Sequence, residues 1–269
     1  MNKTKGFLSA ASMVFAMAFT LSCSSDGGSG GEPSSSSGNE EPSSSSSVPS
    51  SSSEVSSSSS VVSNCADFDP EAEVEHYGQM KKQICDEQDG KKYVYVTIGE
   101  QTWMAENLNY NAEGSRCYTD NTGGDSQNRC STYGRLYKWE TAKTVCPKGW
   151  HLPTQAEWNV MTAYIGGAPT EGKKLKAVSG WDTSHDDGVN GTDEYGFSAL
   201  PGGLGHSGGG FGEVGYYGYW WSASEGEYAS DYAYGRGMYY GSADAGWRGN
   251  IKSFLFSVRC MKDDEVGYE

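Results

Sequence analysis

Apolar and aromatic positions alternate with polar ones most regularly between residues 93 and 104. Residues 93–98 are mainly β-branched or aromatic, Gly99 and Glu100 can form a two-residue turn, and residues 101–104 continue the run. Two such runs separated by two turn residues are typical of a β-hairpin. The pattern therefore predicts a pair of antiparallel strands.

A helical period replaces this alternation farther along the chain. Leu136, Trp139 and Ala142 lie at helical spacing, and the run stops before Pro147, which disfavours helix at the residue ahead of it. This spacing predicts a short helix within residues 136–145.

The strongest helix signal begins at Thr154. Thr154 and Glu157 fit a capping box, in which the threonine oxygen and the glutamate satisfy backbone N–H groups at the start of a helix. Trp158, Met161 and Ile165 then fall on one helical face, and two glycines follow. We expect a second helix here, with this face in the core.

Residues 150–152, just before the capping box, are short and apolar enough for a buried strand. His151 lies in this strand. Because every residue of the stretch 146–158 has a structural function in this interpretation, we read His151 as structural rather than as a ligand or a base.

Helical spacing disappears beyond Ser179. Glycine, tyrosine, tryptophan and serine dominate residues 188–249. Strand-like pieces occur within this region at residues 219–223, 228–234 and 237–240.

The last apolar segment, residues 253–260, has Phe254, Phe256 and Val258 on one side, which predicts a core strand. Together these signals predict an α+β domain with two helices, several short antiparallel strands and a long looped region.

The N-terminus carries Lys3 and Lys5, followed by an apolar run that is too short to span a membrane. It predicts a secretory signal peptide over residues 1–22. A small residue before Cys23 is typical of bacterial lipoprotein signals, so Cys23 is the expected lipidation site; ordinary cleavage with Cys23 free is the alternative. Residues 23–63 are serine-rich and lack the apolar side chains for a core, which predicts a disordered tether.

Charge limits the partners of the remaining chain. The net charge is −15, and without the two lysines of the signal and the five acids of the tether the folded part carries −12. Nucleic acid and anionic membranes are therefore poor partners, and we expect membrane contact only through the lipid anchor. Glycans, metal cations and envelope proteins remain.

Six cysteines are left once Cys23 is set aside, and an even number in an exported chain predicts a disulfide framework. Fifteen pairings exist for six cysteines, and the sequence alone does not choose among them. Local closure favours Cys65–Cys85 and Cys117–Cys130, which leaves Cys146 and Cys260.

Several long segments resemble the Fibrobacter succinogenes major paralogous domain, abbreviated FISUMP. The segments are DGKKY (89–93), GEQTWMAENLNY (99–110), YGRLY (133–137), CPKGWHLPTQAEW (146–158), GFSALPGG (196–203), YWWSAS (219–224) and SVRC (257–260). We therefore expect an N-terminal extension at 64–92, a FISUMP-like domain at 93–262 and a tail at 263–269. The resemblance implies a secreted or lipid-anchored protein behind a serine-rich tether.

A more distant similarity is to the C-type-lectin-like fold and the related formylglycine-generating enzymes. In those proteins a Cys-Pro-x-Gly-Trp entry to the first helix and a terminal Val-Arg-Cys strand close one domain. The similarity implies a C-type-lectin-like fold here and supports the pair Cys146–Cys260.

The loop around residues 182–194 is rich in side chains with oxygen atoms, which are the ligands that calcium prefers. Calcium is the one cofactor that the sequence suggests. Asp186, Asn190 and Asp193 form part of a pattern that looks like half of an EF-hand loop, although Phe197 replaces the expected bidentate glutamate. The alternative is a solvated acidic turn. Zinc has no support, because the histidines are scattered and the cysteines are expected to be oxidised.

Aromatic residues are the remaining candidates for ligand binding, because flat rings can stack on the apolar faces of sugars. The alternative is that these rings fill the core of the looped region. The candidates are Tyr216, Tyr217, Tyr219, Trp220, Tyr239 and Trp247.

We therefore expect a non-catalytic, lipid-anchored module at the bacterial outer membrane or cell surface that binds a polysaccharide or another glycan. One alternative is a structural or protein-adhesion component of the outer envelope. A second alternative is an enzyme of the formylglycine-generating kind, which would need an available pair of cysteines.

Overall fold

A computed structural model describes residues 65–119, 129–184, 191–227 and 229–264, all of them in one compact unit. The predicted signal peptide, the lipidation site Cys23 and the serine-rich tether lie outside the described residues. None of the helices within the described ranges has the length and apolar character needed to cross a membrane.

The described residues form eleven strands and four helices, mixed along the chain. In chain order they are β1 (Glu73–His76), β2 (Gln79–Cys85), β3 (Lys92–Ile98), β4 (Gln101–Met104), α1 (Cys130–Tyr133), α2 (Trp139–Ala142), β5 (Trp150–His151), α3 (Gln155–Tyr164), α4 (Glu171–Leu175), β6 (Leu204–Gly205), β7 (Phe211–Gly212), β8 (Tyr217–Glu225), β9 (Tyr232–Tyr239), β10 (Ala245–Ile251) and β11 (Met261–Lys262). The expected α+β class is confirmed.

The larger sheet has six strands in the order β1-β2-β3-β4-β11-β5. The predicted hairpin is its centre: β3 and β4 pair antiparallel, with Val96 opposite Trp103, and the turn lies at residues 99–100. Gly99 has φ +65°, a left-handed conformation that glycine adopts without steric cost.

The N-terminal segment adds an unexpected hairpin to this sheet. The strands β1 and β2 pair with each other, and β2 continues onto β3 with Ile84 opposite Tyr93. These strands were not predicted, because both contain several charged residues and show no alternation of apolar and polar positions; Met80 and Glu75 are both exposed.

Helix α3 begins and ends as predicted. The Thr154 hydroxyl accepts the backbone N–H of Glu157, and the Glu157 carboxylate accepts the backbone N–H of Thr154. Trp158, Met161 and Ile165 are buried, which confirms the core-facing side.

The prediction of only two helices is wrong. Helix α2 is shorter than expected, because Leu136 and Tyr137 form bridges to Arg116 and Phe256 instead of helical turns. Helices α1 and α4 were missed, since elements of four or five residues are too short to show an apolar period.

The strand predicted at residues 150–152 is reduced to the two residues of β5, both half-buried at the edge of the sheet. The ring of His151 lies between two carboxylates, with Nδ1 2.6 Å from Asp263 and Nε2 3.1 Å from Glu157. His151 thus ties β5 to the start of α3 and to the residues after β11.

The second sheet has three antiparallel strands in the order β10-β9-β8. Strand β8 contains the predicted piece 219–223, and β9 joins parts of the other two pieces into one strand. Tyr228 lies outside the described residues, and β10 was not predicted.

The C-terminal segment 253–260 is not a regular strand with one buried side. Phe256 and Val258 are buried, but so are Leu255 and Ser257 on the opposite side. The segment runs through the centre of the domain and forms isolated bridges to three different neighbours. Alternation fails here because both sides face protein.

Three disulfides close the fold. They are Cys65–Cys85 and Cys117–Cys130, which local closure favoured, and Cys146–Cys260, the pair that these two leave. The last of them spans 114 residues and attaches the end of the central C-terminal segment to the chain just before β5.

Replacing both Cys146 and Cys260 by alanine should destabilise the domain by about 5 kcal/mol, because a long loop is no longer closed in the unfolded chain. The matched control replaces Cys117 and Cys130, which are 13 residues apart, and should cost about 3 kcal/mol. Urea denaturation without reductant measures both. An equal or larger loss in the control would contradict this ranking.

Candidate functional site

The predicted aromatic candidates do not form one surface. The register of β8, β9 and β10 puts Tyr217, Tyr219 and Tyr239 on one face of the sheet and Trp220 and Trp247 on the other. A single flat ligand cannot contact rings on opposite faces of a sheet.

Trp220 was wrongly assigned to a ligand site. Its side chain is 0% exposed, and its Nε1 donates to Oδ1 of Asn107 at 2.8 Å. Trp247, on the same face, is half-buried, donates to Asn159 and lies 4.2 Å beneath the guanidinium of Arg236. Both tryptophans therefore pack against protein.

The tyrosines on the other face stack on one another. The ring of Tyr217 stacks on that of Tyr219 at 5.5 Å and on that of Tyr239 at 4.6 Å, with the planes inclined by 6° and 30°, so Tyr217 packs against two neighbouring rings. Tyr219 in turn stacks on Phe256 at 5.0 Å. Tyr216 is exposed and meets Tyr240 edge-on. This arrangement offers ring edges and hydroxyls rather than a flat platform.

One of the three candidate calcium ligands, Asp193, is already hydrogen-bonded within the fold. Asp193 is 2% exposed, and its carboxylate accepts the backbone N–H and the hydroxyl of Ser198. Asp186 and Asn190 lie outside the described residues. Within the described ranges, no group of three or more acidic, histidine or cysteine side chains could hold a metal ion.

A polar pocket of about 560 Å³ opens between the β1–β2 hairpin, β3, α1 and the C-terminal segment. Most of its lining side chains are polar or charged. They are Glu75, His76, Tyr77, Lys91, Lys92, Tyr93, Glu106, Asn107, Asn109, Ser131, Thr132, Ser198 and Arg259. We refer to this site as the polar pocket.

Arg259 and Asn107 form the floor of the polar pocket. The fully buried guanidinium donates to Oδ1 of Asn107 at 2.9 Å, to the carbonyl of Ser198 at 3.0 Å and to the carbonyl of Phe197. Burial lowers the pKa of Arg259 to about 10, and the nearby carboxylates of Asp193 and Glu106 oppose this shift. Arg259 is therefore a cation at neutral pH.

Lys81 supports the wall formed by the N-terminal hairpin. Its ammonium donates to the carbonyl of Gly196 at 2.8 Å and to the hydroxyl of Ser198 at 3.2 Å, and lies 3.0 Å from Nδ1 of His76. Burial lowers the pKa of Lys81 to about 8, against the opposing effect of Asp193. With three acceptors around the ammonium, Lys81 acts as a brace between β2 and the 193–198 turn.

His76 is neutral at pH 7. Burial, with the positive charges of Lys81 and Arg259, lowers its pKa to about 4. Because Nδ1 accepts from Lys81, the ring hydrogen is on Nε2, which lies 3.8 Å from Oε1 of Glu106. The pocket wall thus offers a neutral donor beside a carboxylate.

The rim carries groups that remain available to a ligand. Ser131 and Thr132 present exposed hydroxyls at the start of α1. The side-chain amide of Asn109 has no hydrogen-bond partner among the residues that the structure describes. Tyr77, 44% exposed, has φ +50° at the tip of the β1–β2 hairpin. These groups can bind hydroxyls and cover a ring.

Sequence reasoning missed this site, although parts of it were visible. Asn107 and Arg259 lie inside segments that carry the family resemblance, and Arg259 is flanked there by the apolar residues Val258 and Cys260. A polar residue in an apolar run signals a buried polar contact. No sequence pattern around His76 and Tyr77 indicated that these residues line a pocket.

Fold and site together define a small, disulfide-stabilised α+β domain with a polar pocket beside its N-terminal hairpin. Residues 96–262 match the family model of the Fibrobacter succinogenes major domain, so the chain belongs to this family. No curated protein and no solved structure matches the chain.

Replacing Asn107 by alanine should destabilise the domain by about 2–5 kcal/mol, because Arg259 and Trp220 both lose a buried acceptor. Replacing Asn109, two residues farther on, should change the free energy of unfolding by less than about 0.5 kcal/mol. Denaturant titration of both variants measures this difference, and similar losses would show that Asn107 has no special role.

The low pKa of His76 predicts a pH dependence of stability. Between pH 6.5 and about 4 the imidazole of His76 is protonated in the unfolded chain but stays neutral in the folded one. The free energy of unfolding therefore falls as the pH is lowered through this range. In His76→Gln the melting temperature should fall less steeply over this interval than in the wild type. The control is His206→Gln, at an exposed histidine; equal slopes in all three proteins would contradict the assignment.

Proposed function

We propose that this chain is a non-catalytic binding module that recognises a polysaccharide through the polar pocket. Its volume of about 560 Å³ is in the range of small-molecule sites and has room for one or two sugar rings. The observation that carries the proposal is the lining, in which hydroxyl, amide, imidazole and carboxylate groups surround one exposed aromatic ring.

Such a lining suits a ligand that is covered with hydroxyl groups. The carboxylate of Glu106 can accept hydrogen bonds from sugar hydroxyls, and the Nε2–H of His76 can donate one. The side-chain amide of Asn109 can do both. Tyr77 stands at the rim, where a ring can cover the apolar face of a sugar. Rigid support from Lys81 and Arg259 limits the ordering cost of binding.

Display at the outer membrane or cell surface belongs to the same proposal. The N-terminal signal, Cys23 and the serine-rich segment would anchor the domain and hold it away from the membrane. We also propose a C-type-lectin-like arrangement, supported by the disulfide that joins Cys146 to the terminal Val-Arg-Cys segment.

Disulfide bonding argues against the formylglycine-generating alternative. That chemistry needs an available pair of thiols, and each of the six cysteines in the described ranges is in a disulfide.

A screen of neutral polysaccharides, such as xylan, mannan and soluble cellulose derivatives, tests the proposal with two matched variants. Tyr77→Asn keeps a residue that tolerates φ above zero and removes the ring, and should weaken retention about tenfold. Tyr216→Asn removes an exposed ring outside the pocket and should leave retention unchanged.

Loss of retention in Tyr216→Asn but not in Tyr77→Asn would indicate that the glycan binds beside the tyrosine-rich strands and not in the polar pocket. A folded wild-type domain that is retained on no neutral glycan would overturn the proposed function.

A further inference from the structure

The disulfide between Cys117 and Cys130 forms part of the wall of the polar pocket. Cys130 is the first residue of α1 and lines the pocket. Ser131 and Thr132 follow it and supply two of the rim hydroxyls. The position of the rim therefore depends on how α1 is attached to the rest of the domain.

Helix α1 is held differently at its two ends. At its end, the carbonyl of Tyr133 accepts from the side-chain amide of Asn107 at 2.8 Å. At its start, the disulfide joins it to Cys117, and the backbone N–H of Arg129 donates to the carbonyl of Tyr118 at 3.3 Å, inside the loop that the disulfide closes. Breaking the disulfide would thus loosen the start of α1, which carries the rim hydroxyls, and leave its end in place.

An arginine side chain contacts both sulfur atoms. One terminal nitrogen of Arg135 lies 3.4 Å from Sγ of Cys117 and 3.9 Å from Sγ of Cys130. Ser115 fixes the guanidinium in this position, because its hydroxyl accepts from Nε at 2.8 Å and its carbonyl accepts from the other terminal nitrogen at 3.2 Å. Among the residues that the structure describes, no carboxylate is paired with Arg135. An unneutralised cation therefore faces this disulfide.

A guanidinium beside a sulfur atom favours the thiolate, because the negative charge of the thiolate is paired with the cation. A stabilised thiolate is also a better leaving group, so a disulfide in this position is reduced more readily. Within the described ranges, no arginine or lysine side chain is hydrogen-bonded to the sulfurs of the other two disulfides. The contact with Arg135 thus distinguishes Cys117–Cys130 from both.

We propose that Cys117–Cys130 is a site of thiol–disulfide exchange with a small dithiol, and that its reduction loosens the rim of the polar pocket. One thiolate of the dithiol attacks Sγ of Cys117, which is half-buried, whereas Cys130 is 8% exposed. The protein S–S bond breaks, and its electron pair remains on Sγ of Cys130 as the thiolate that Arg135 stabilises.

A second thiolate, from the same dithiol, completes the exchange. It attacks the mixed disulfide and displaces the sulfur of Cys117. The dithiol is thereby oxidised by two electrons to its own disulfide, Cys117–Cys130 is reduced, and the two protons of the dithiol pass through solvent to the two cysteines. The exchange stands without the proposed function, whereas its effect on ligand binding rests on it.

Reduction of the folded domain by dithiothreitol tests the exchange site, with alkylation by iodoacetamide and peptide mass spectrometry to follow each disulfide. Arg135→Gln should slow the reduction of Cys117–Cys130 about fivefold, because the leaving thiolate loses its cation. If Arg135 only held the structure together, its removal would expose the disulfide and make reduction faster. Reduction of Cys65–Cys85 in the same samples is the internal reference and should not change.

The matched control is Arg116→Gln, which removes an exposed charge next to Cys117 in the sequence. Because an exposed charge is screened by solvent and salt, this change should alter the rate by less than about twofold. Unchanged or faster reduction in Arg135→Gln, or equal slowing in both variants, would overturn the exchange site.

The effect on the pocket is measured separately. The double variant Cys117→Ser/Cys130→Ser imitates the reduced state and should weaken retention on a neutral polysaccharide roughly threefold, because the rim hydroxyls must then be ordered on binding. Undiminished retention in the folded double variant would overturn the link between disulfide and pocket. A wild-type domain that is retained on no neutral glycan would overturn the proposed function, and the reduction rates, measured without glycan, would still decide the exchange site.

Discussion

The side-chain amide of Asn107 is the contact on which the centre of this domain depends. Its oxygen accepts from Arg259 at 2.9 Å and from Trp220 at 2.8 Å, and its nitrogen donates to the carbonyl of Tyr133 at 2.8 Å and lies 3.3 Å from the hydroxyl of Ser257. These partners come from α1, β8 and the C-terminal segment. Because a buried guanidinium and a buried amide both require partners, this one contact fixes how the three segments meet.

The same contact forms the floor of the polar pocket, so the pocket is held in shape by the interactions that stabilise the core. Gly134 shows how tightly the floor is built: it has φ +72°, and a Cβ there would lie 2.8 Å from Cβ of Asn107. The wall is attached by Lys81, whose ammonium reaches Ser198 beside Arg259. A pocket of this kind needs little rearrangement on binding, which supports the proposed recognition of a ligand.

How far the sequence predicts this structure depends on whether a signal is local. The hairpin of β3 and β4 and the capping box at Thr154 follow from neighbouring residues, and both were found. The C-terminal segment was misread because its second side, including Ser257 and Arg259, is buried by residues far away in the chain. Trp220 was misassigned for a related reason: composition counts rings, but only the strand register decides that Trp220 faces inward.

Glycine explains how the large rings of strands β8 and β9 pack into the core. Trp221 and Tyr219 of β8 lie opposite Gly235 and Gly237 of β9, where the missing side chains leave space for large rings. A Cβ on Gly237 would lie 3.4 Å from the ring of Tyr219, so glycine and aromatic residues together form a packed layer. One wall of the polar pocket comes from Glu75, His76 and Tyr77, ahead of the family match at 96–262, so changes in that segment can alter the pocket while the contacts of Asn107 stay intact.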